Sequence, residues 1–230
     1  MNTIYRALAV LLDYPGEELH AHVDDVAQTV TNADVGAVRR LGPLLVHLAR
    51  NDLYELQELY VDTFDRGRRT SLNLFEHVHG DSRDRGQAMV DLLSMYREAG
   101  LALDTEQLPD YLPAFLEFLS LLPAEQALGH LAEVTDIVRT IGGVLLVRGS
   151  PYACALDTLL YLAGEPALAA AVGGKDDSEA ESEDESEDDR TPAAIDAAWQ
   201  DAPVNFLDAG TPCSTPRRGD TQTIQLHRRT

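Results

Sequence analysis

The chain has 230 residues, 44% of them hydrophobic, which suits one core-bearing domain with or without a tail. No run of 18 apolar residues occurs, which argues against a membrane-spanning helix. The net charge of −21 argues against non-specific nucleic-acid binding, which needs cations to displace counterions.

The charge is unevenly spread. Lys175 to Arg190 holds ten acids and two bases, so this run carries −8 and leaves −13 for the rest. Lys175 is the one lysine beside 17 arginines. Acid excess with so little lysine fits a protein kept hydrated in concentrated salt, and a salt-accumulating source is the expectation. Circular dichroism before and after dialysis into dilute buffer checks it, since full folding there would count against it. Cys154 and Cys213 read as two free thiols in a reducing compartment rather than a disulfide.

Helical periodicity begins at once. Thr3 to Asp13 places Ile4, Leu8, Leu11 and Leu12 on one stripe, and Tyr14-Pro15-Gly16 ends it. With Arg6 its only early cation and no small-residue cleavage site after it, this segment reads as an amphipathic helix rather than a signal peptide. A cytoplasmic location follows as the expectation. A second helix starts near Glu17, with Leu19, Val23, Val26 and Val30 at helical spacing. Asp34 caps a third through Arg50, which Pro43 should bend or split. Asn51 or Asp52 caps a fourth with Leu56, Tyr60 and Phe64 inward, broken by Asp65 to Arg68.

A helical turn over Leu72 to Val78 ends at Gly80, and Ser82 is placed to cap the next helix to Glu98, closed by Gly100. Pro109 suits the first turn of a helix from Asp110 to Leu122, apolar nearly all round and therefore central. Pro123 opens a long helix to Val147 with a possible bend at Gly142-Gly143, and Ser150-Pro151 opens another to Ala163. Apart from Thr221 to Leu226 there is no alternation of strand type. The fold class is all-α, a single helical bundle of about eight to ten helices. The domain boundaries are 1–172 for the bundle, 173–192 for a disordered acidic linker, and 193–230 for an extension. That extension holds an apolar docking segment, Ile195 to Leu207, with the single Trp199.

Motifs for catalysis are missing: there is no GxSxG, P-loop or dinucleotide-binding glycine pattern. His77 and His79 lie two apart, on different sides of a helix, a poor spacing for one metal. Glu76, Asp84 and Asp91 among Arg68, Arg69, Arg83 and Arg85 form either an internal salt-bridge cluster or the polar rim of a groove. Asp110 can serve at a helix start, where the dipole favours an anion. Glu117, between Leu116 and Phe118, must either meet an arginine or face a groove, because a buried unpaired carboxylate costs several kcal/mol.

The run FDRGRRTSLNLFEHVHGDSRDRGQAMVDLL, followed by LPDYLPAFLEFLSLLP, resembles the NarJ group of respiratory nitrate reductase assembly chaperones, within the TorD/DmsD-type redox-enzyme maturation family. The likeness is densest over Tyr60 to Leu122, and looser at YRALAVLLDYP and AWQDAPVNF. It implies an all-α chaperone that is not an enzyme and holds no metal or cofactor of its own. The implied partner is the N-terminal leader of the catalytic molybdenum subunit, held until the cofactor is inserted. Nucleic-acid binding and membrane insertion are not implied, and a monomer or weak dimer is expected. Transferred by motif position and side-chain type, the candidate groove is Phe75, His77, His79, Arg83, Arg85, Asp110, Tyr111, Phe115 and Glu117. A basic, amphipathic leader would lay its apolar face on Phe75, Tyr111, Phe115 and Phe118. The alternatives are a chaperone of another exported molybdoenzyme, a nucleotide-binding protein with phosphate near Ser82, and a structural subunit of the reductase.

Overall fold

A computed structural model describes residues 2–79, 83–103 and 107–172, and the first element within these is Asn2–Leu12 (α1). It buries Ile4, Tyr5, Leu8, Leu11 and Leu12, the helical spacing that the sequence shows. There follow Glu17–Ala21 (α2), Val23–Ala33 (α3), Val35–Arg50 (α4) and Leu53–Phe64 (α5). A single 3₁₀ turn, Arg68–Thr70, leads to Leu74–His79 (α6) and Arg83–Glu98 (α7). The last five are Leu112–Leu121 (α8), Ala124–Glu133 (α9), Thr135–Val147 (α10), Ala153–Leu162 (α11) and Leu168–Val172 (α12).

The all-α expectation holds: among the described residues the sole β feature is one isolated antiparallel bridge, Asn73 with Tyr111. The helix α8 is the central element, burying Leu112, Pro113, Ala114, Phe115, Leu116, Phe118 and Leu119, with α1 along it. The helices α3, α4, α11 and α10 pack in succession around the other side of the core.

Twelve α-helices are present among the described residues rather than eight to ten, for local reasons. The expected second helix divides at His22, whose backbone turns to φ −120°, ψ 21° and whose ring Nδ1 bonds the Glu18 carbonyl at 2.9 Å. The expected long helix divides at Val134, where the backbone N–H bonds Leu131 at 3.1 Å and Thr135 Oγ1 donates to the Ala132 carbonyl at 2.9 Å. The short α12 lies beyond the last periodic stretch. Conversely, Pro43 neither splits nor ends α4, which runs unbroken to Arg50. Gly42 precedes it and has no Cβ to strike the proline ring, while Leu41, Leu44, Leu45 and Leu48 are buried on either side. Asp34 and Asp52 do cap α4 and α5, accepting from Ala37 N–H at 2.9 Å and Glu55 N–H at 3.0 Å. Gly100 does close α7, in the left-handed region at φ +83°, with Leu101 N–H bonding back to the Tyr96 carbonyl at 2.9 Å.

The helix that contains Asp110 in the sequence reading begins later. It starts at Leu112, so Pro113 and not Pro109 is the first-turn proline, and Asp110 lies in the preceding turn. The expected cap at Ser82, the acidic linker, the apolar Ile195 to Leu207 segment and the alternation at Thr221 to Leu226 lie outside the described residues.

Gly142 and Gly143 lie inside the continuous helix α10, and Gly142 is a site of close packing. A Cβ on Gly142 would stand 2.8 Å from Leu168 Cδ1 and 3.1 Å from Leu156 Cβ, while one on Gly143 would meet nothing within 4 Å. Alanine should therefore act with opposite sign at adjacent positions. Gly143→Ala should stabilise by up to about 1 kcal/mol through helix propensity. Gly142→Ala should cost about 1–2 kcal/mol through overpacking. Urea unfolding of the two variants checks this.

An ion pair closes the far side of the bundle. Arg40 Nη1 meets Asp157 Oδ2 at 2.9 Å, its guanidinium lies 4.6 Å over the Tyr161 ring, and Asp157 Oδ1 accepts Leu168 N–H at 2.8 Å. Asp157 thereby ties α4 and α12 to α11.

Candidate functional site

The two sequence runs that stood out, LNLFEH and LPDYLP, meet in space through the single bridge. Leu112 N–H donates to the Leu72 carbonyl at 2.8 Å and Leu74 N–H to the Asp110 carbonyl at 2.9 Å. This clamp sets the start of α6 against the turn before α8. Tyr96 of α7 fastens the same turn by donating its hydroxyl to the Pro109 carbonyl at 2.7 Å.

Asp110 is fully buried within this junction. Its Oδ2 accepts Phe75 N–H at 3.1 Å, so it satisfies an N-terminal donor of α6 from a distant part of the chain. The same oxygen lies 3.4 Å from Arg85 Nη2, which also reaches Glu76 Oε1 at 3.3 Å. Asn73 Nδ2 stands 3.5 Å from that Glu76 oxygen, and His77 Nε2 donates to the Ser71 carbonyl at 2.8 Å. Of this charge cluster Arg85 and Glu76 join Asp110 in an internal network, and Glu76 also lines the groove beside the junction.

The two carboxyls respond to pH with opposite sign. Burial pushes Glu76 up, but the Ser71 hydroxyl, Arg85 and Asn73 outweigh it and hold it below its usual 4.5. Its contribution to stability is present above 4.5 and is lost as pH falls through the lower folded-state value. Burial pushes Asp110 above 3.8 despite the Phe75 N–H and Arg85. That group favours the folded state most below 3.8 and loses the contribution as pH rises through its folded value. Glu76→Gln should accordingly melt below the wild type at pH 7, and the gap should close as pH falls below 4.5 and through the lower folded-state value. A thermal-melt series against pH is the check.

Beside this junction opens a groove of about 610 Å³. Its walls are Tyr14, Tyr60, Phe64, Leu72 and Tyr111, and its rim carries Asp65, Arg66, Arg68, Asn73 and Glu76. The aromatic walls support one another. Tyr14 stands edge-on to Tyr60 at 5.6 Å, Tyr60 lies 4.8 Å from Phe64, and Tyr152 closes the back of both rings at 5.9 and 5.0 Å. Tyr60 and Tyr111 share a hydroxyl contact of 2.7 Å, Tyr60 donates to the Leu12 carbonyl at 3.0 Å, and Tyr111 donates to Asp13 Oδ1 at 3.0 Å. Burial pushes both phenols well above the ordinary tyrosine range, so they remain neutral.

The candidate residues divide accordingly. Tyr111 faces the groove. Asp110, Arg85 and half-buried Phe75 build the wall behind it, and His77 is fastened to the chain before α6. Phe115 belongs to the core, 5% exposed and packed with Phe118, so it offers no floor to a ligand without repacking. Glu117 is exposed and lines a separate small hollow with Arg6 and Asp13. Of His79 and Arg83 only the helical backbone is among the described residues. Tyr14, Asn73 and Arg66 escaped the sequence reading, which treated Tyr14 and Arg66 simply as helix terminators, whereas Arg68 and Glu76 were among the charges offered as a groove rim. The available signal was three hydroxyl-bearing rings, Tyr14, Tyr60 and Tyr111, at the ends of elements in a leucine-rich core.

Among the described residues no group of three or more His, Cys, Asp or Glu is arranged to hold a metal ion. Cys154 is half-buried, and burial pushes its thiol up. The arrangement is an aromatic trough with hydrogen-bonded hydroxyls and a rim of both charges.

Comparison with known proteins is consistent over most of the chain. The family described as nitrate reductase delta subunit matches residues 30–156. The probable nitrate reductase molybdenum cofactor assembly chaperone NarW of Escherichia coli (strain K12) is 40% identical over 217 residues, covering 92% of this chain and 87% of that protein. The nitrate reductase molybdenum cofactor assembly chaperone NarJ of the same strain is 41% identical over 200 residues, or 86% and 82% of the two chains. A probable chaperone NarJ of Bacillus subtilis (strain 168) is 32% identical over 160 residues, covering 68% of this chain and 85% of the relative. With more than half its length inside the family match, and with relatives alike along nearly their whole chains, this protein belongs to the nitrate reductase delta subunit family, beside the NarJ-type assembly chaperones.

Proposed function

We propose that the protein is a molybdenum-cofactor assembly chaperone of a nitrate reductase, and that it binds the N-terminal leader of the apo catalytic subunit in the aromatic groove. It is not an enzyme: its role is to hold the client until the cofactor is in place and then to leave. The cofactor is the client's, and this chain needs none of its own. The family membership and the relatives' printed roles support the chaperone part of the reading.

The observation that carries the leader part is the groove itself. Its volume of about 610 Å³ lies within the range of roughly 300–1,000 Å³ usual for ligand pockets. Apolar ring faces supply contact area, and Asp65, Glu76, Arg66 and Arg68 at the rim supply orientation. A short amphipathic segment meets such a surface with its apolar face inward. Arg85 and Asp110 support the wall from behind, so their part in recognition is to hold Glu76 and Asn73 in place.

Titration calorimetry with a synthetic peptide of the client's first 20 or so residues is the test. A handover complex should have Kd near 1 μM, about −8 kcal/mol, tight enough to capture and loose enough to release. Absence of binding by the full-length protein would overturn the reading.

A further inference from the structure

The groove does not end at Tyr14. That ring also walls a second depression of about 450 Å³ with Val10, Leu19 and Val26. Asp13 lines this depression and also a hollow of about 150 Å³ that holds Arg6, Gln107 and Glu117. Gln107 lines the main groove as well. Shared lining residues thus set the three hollows side by side in a row, a trough that follows the C-terminal half of α1. Its apolar surface is exposed at Val10, 41%, and Tyr14, 50%.

At the junction stands a carboxylate with an unusual set of partners. Asp13 Oδ1 accepts both Tyr14 N–H at 2.9 Å and the Tyr111 hydroxyl at 3.0 Å, which fixes the group in place. The three contacts among Tyr60, Tyr111, Leu12 and Asp13 have only two hydroxyl hydrogens to serve them, so these phenols cannot neutralise the charge further. Among the described residues no cation comes within 4.0 Å of Asp13 or Glu117. Arg6 lines the same hollow but pairs with neither.

We infer that this trough extends the leader groove along α1 and receives a basic amphipathic segment of the client, apolar side chains on Val10 and Tyr14, with a guanidinium or ammonium group seated between Asp13 and Glu117. The inference rests on the leader reading above and adds its second half and its charge. Charge selects this occupant over a second copy of the chain. A second copy would bring a strongly acidic surface against two carboxylates that already lack a counterion.

The test uses the full-length protein, a synthetic leader peptide, and the same peptide with every Arg and Lys replaced by Gln. Asp13→Asn keeps the acceptor for Tyr14 and Tyr111, so the fold has no reason to change, and an unchanged melting curve verifies that. Combined with Glu117→Gln it should weaken the native peptide about tenfold at low salt and the neutral peptide less than twofold. The difference should shrink in 1 M salt. Equal affinity of wild type and double variant for the native peptide would overturn this inference, and the groove reading survives that result if Tyr14→Ala still weakens binding. No binding by the wild type at all would instead remove the reading beneath it. Self-association in sedimentation that the double variant abolishes would assign the trough to a second copy and overturn the proposal.

Discussion

Asp110→Ala should lower the unfolding free energy by about 3 kcal/mol, the cost of leaving one member of a buried pair behind. The carboxylate is fully buried, and it is the shared partner of three segments: its own turn, the first N–H groups of α6 through Phe75, and α7 through Arg85. Its removal leaves the Arg85 side chain, 18% exposed, with Glu76 as its remaining partner and leaves the Phe75 N–H without an acceptor. Asp110→Asn, which retains an oxygen for Phe75, should cost less, about 1 kcal/mol. Urea unfolding of both variants measures this. The leader peptide should bind Asp110→Ala weakly only where the domain itself is loosened. An unchanged unfolding midpoint together with weakened peptide binding would make Asp110 a contact residue, as the motif comparison alone suggests.

Tyr14→Ala should do the reverse, leaving stability nearly intact and raising the peptide Kd about thirtyfold. Half of the Tyr14 surface is exposed, so truncation opens little core. The ring nonetheless walls both the main groove and the α1 depression, and its edge rests on Tyr60 at 5.6 Å. An aromatic anchor at the centre of an interface is worth about 2 kcal/mol or more, and 2 kcal/mol is about thirtyfold in affinity. Calorimetry at fixed salt gives the number. A change under threefold would remove Tyr14 from the footprint.

The structure buries Asp110 and puts Tyr14 on the groove wall. Asp110 stands in a run that resembles the chaperone motif, and an acid before an apolar helix looks like either a cap or a contact. Its actual function as a brace depends on Phe75 and Arg85, 35 and 25 positions away in the chain. Tyr14 sits in Tyr-Pro-Gly, where a helix terminator is sufficient explanation. Phe115 has the composition of a binding surface, yet α1 covers that side of α8, and no periodicity announces which helix will do so. Glu117 was legible in part: apolar neighbours on either side require an exit for the charge, and it has one in the hollow beside Arg6.

The helical class, the caps at Asp34, Asp52 and Gly100, the apolar character of α8 and the family were all legible along the chain, because each depends on local spacing or on long runs of residue identity. Where the groove lies follows from packing in three dimensions. A groove is the space left when α1, α5 and the turns before α6 and α8 pack at their particular distances. Which side chains face that space depends on contacts between residues far apart in sequence, and those contacts leave no period to read.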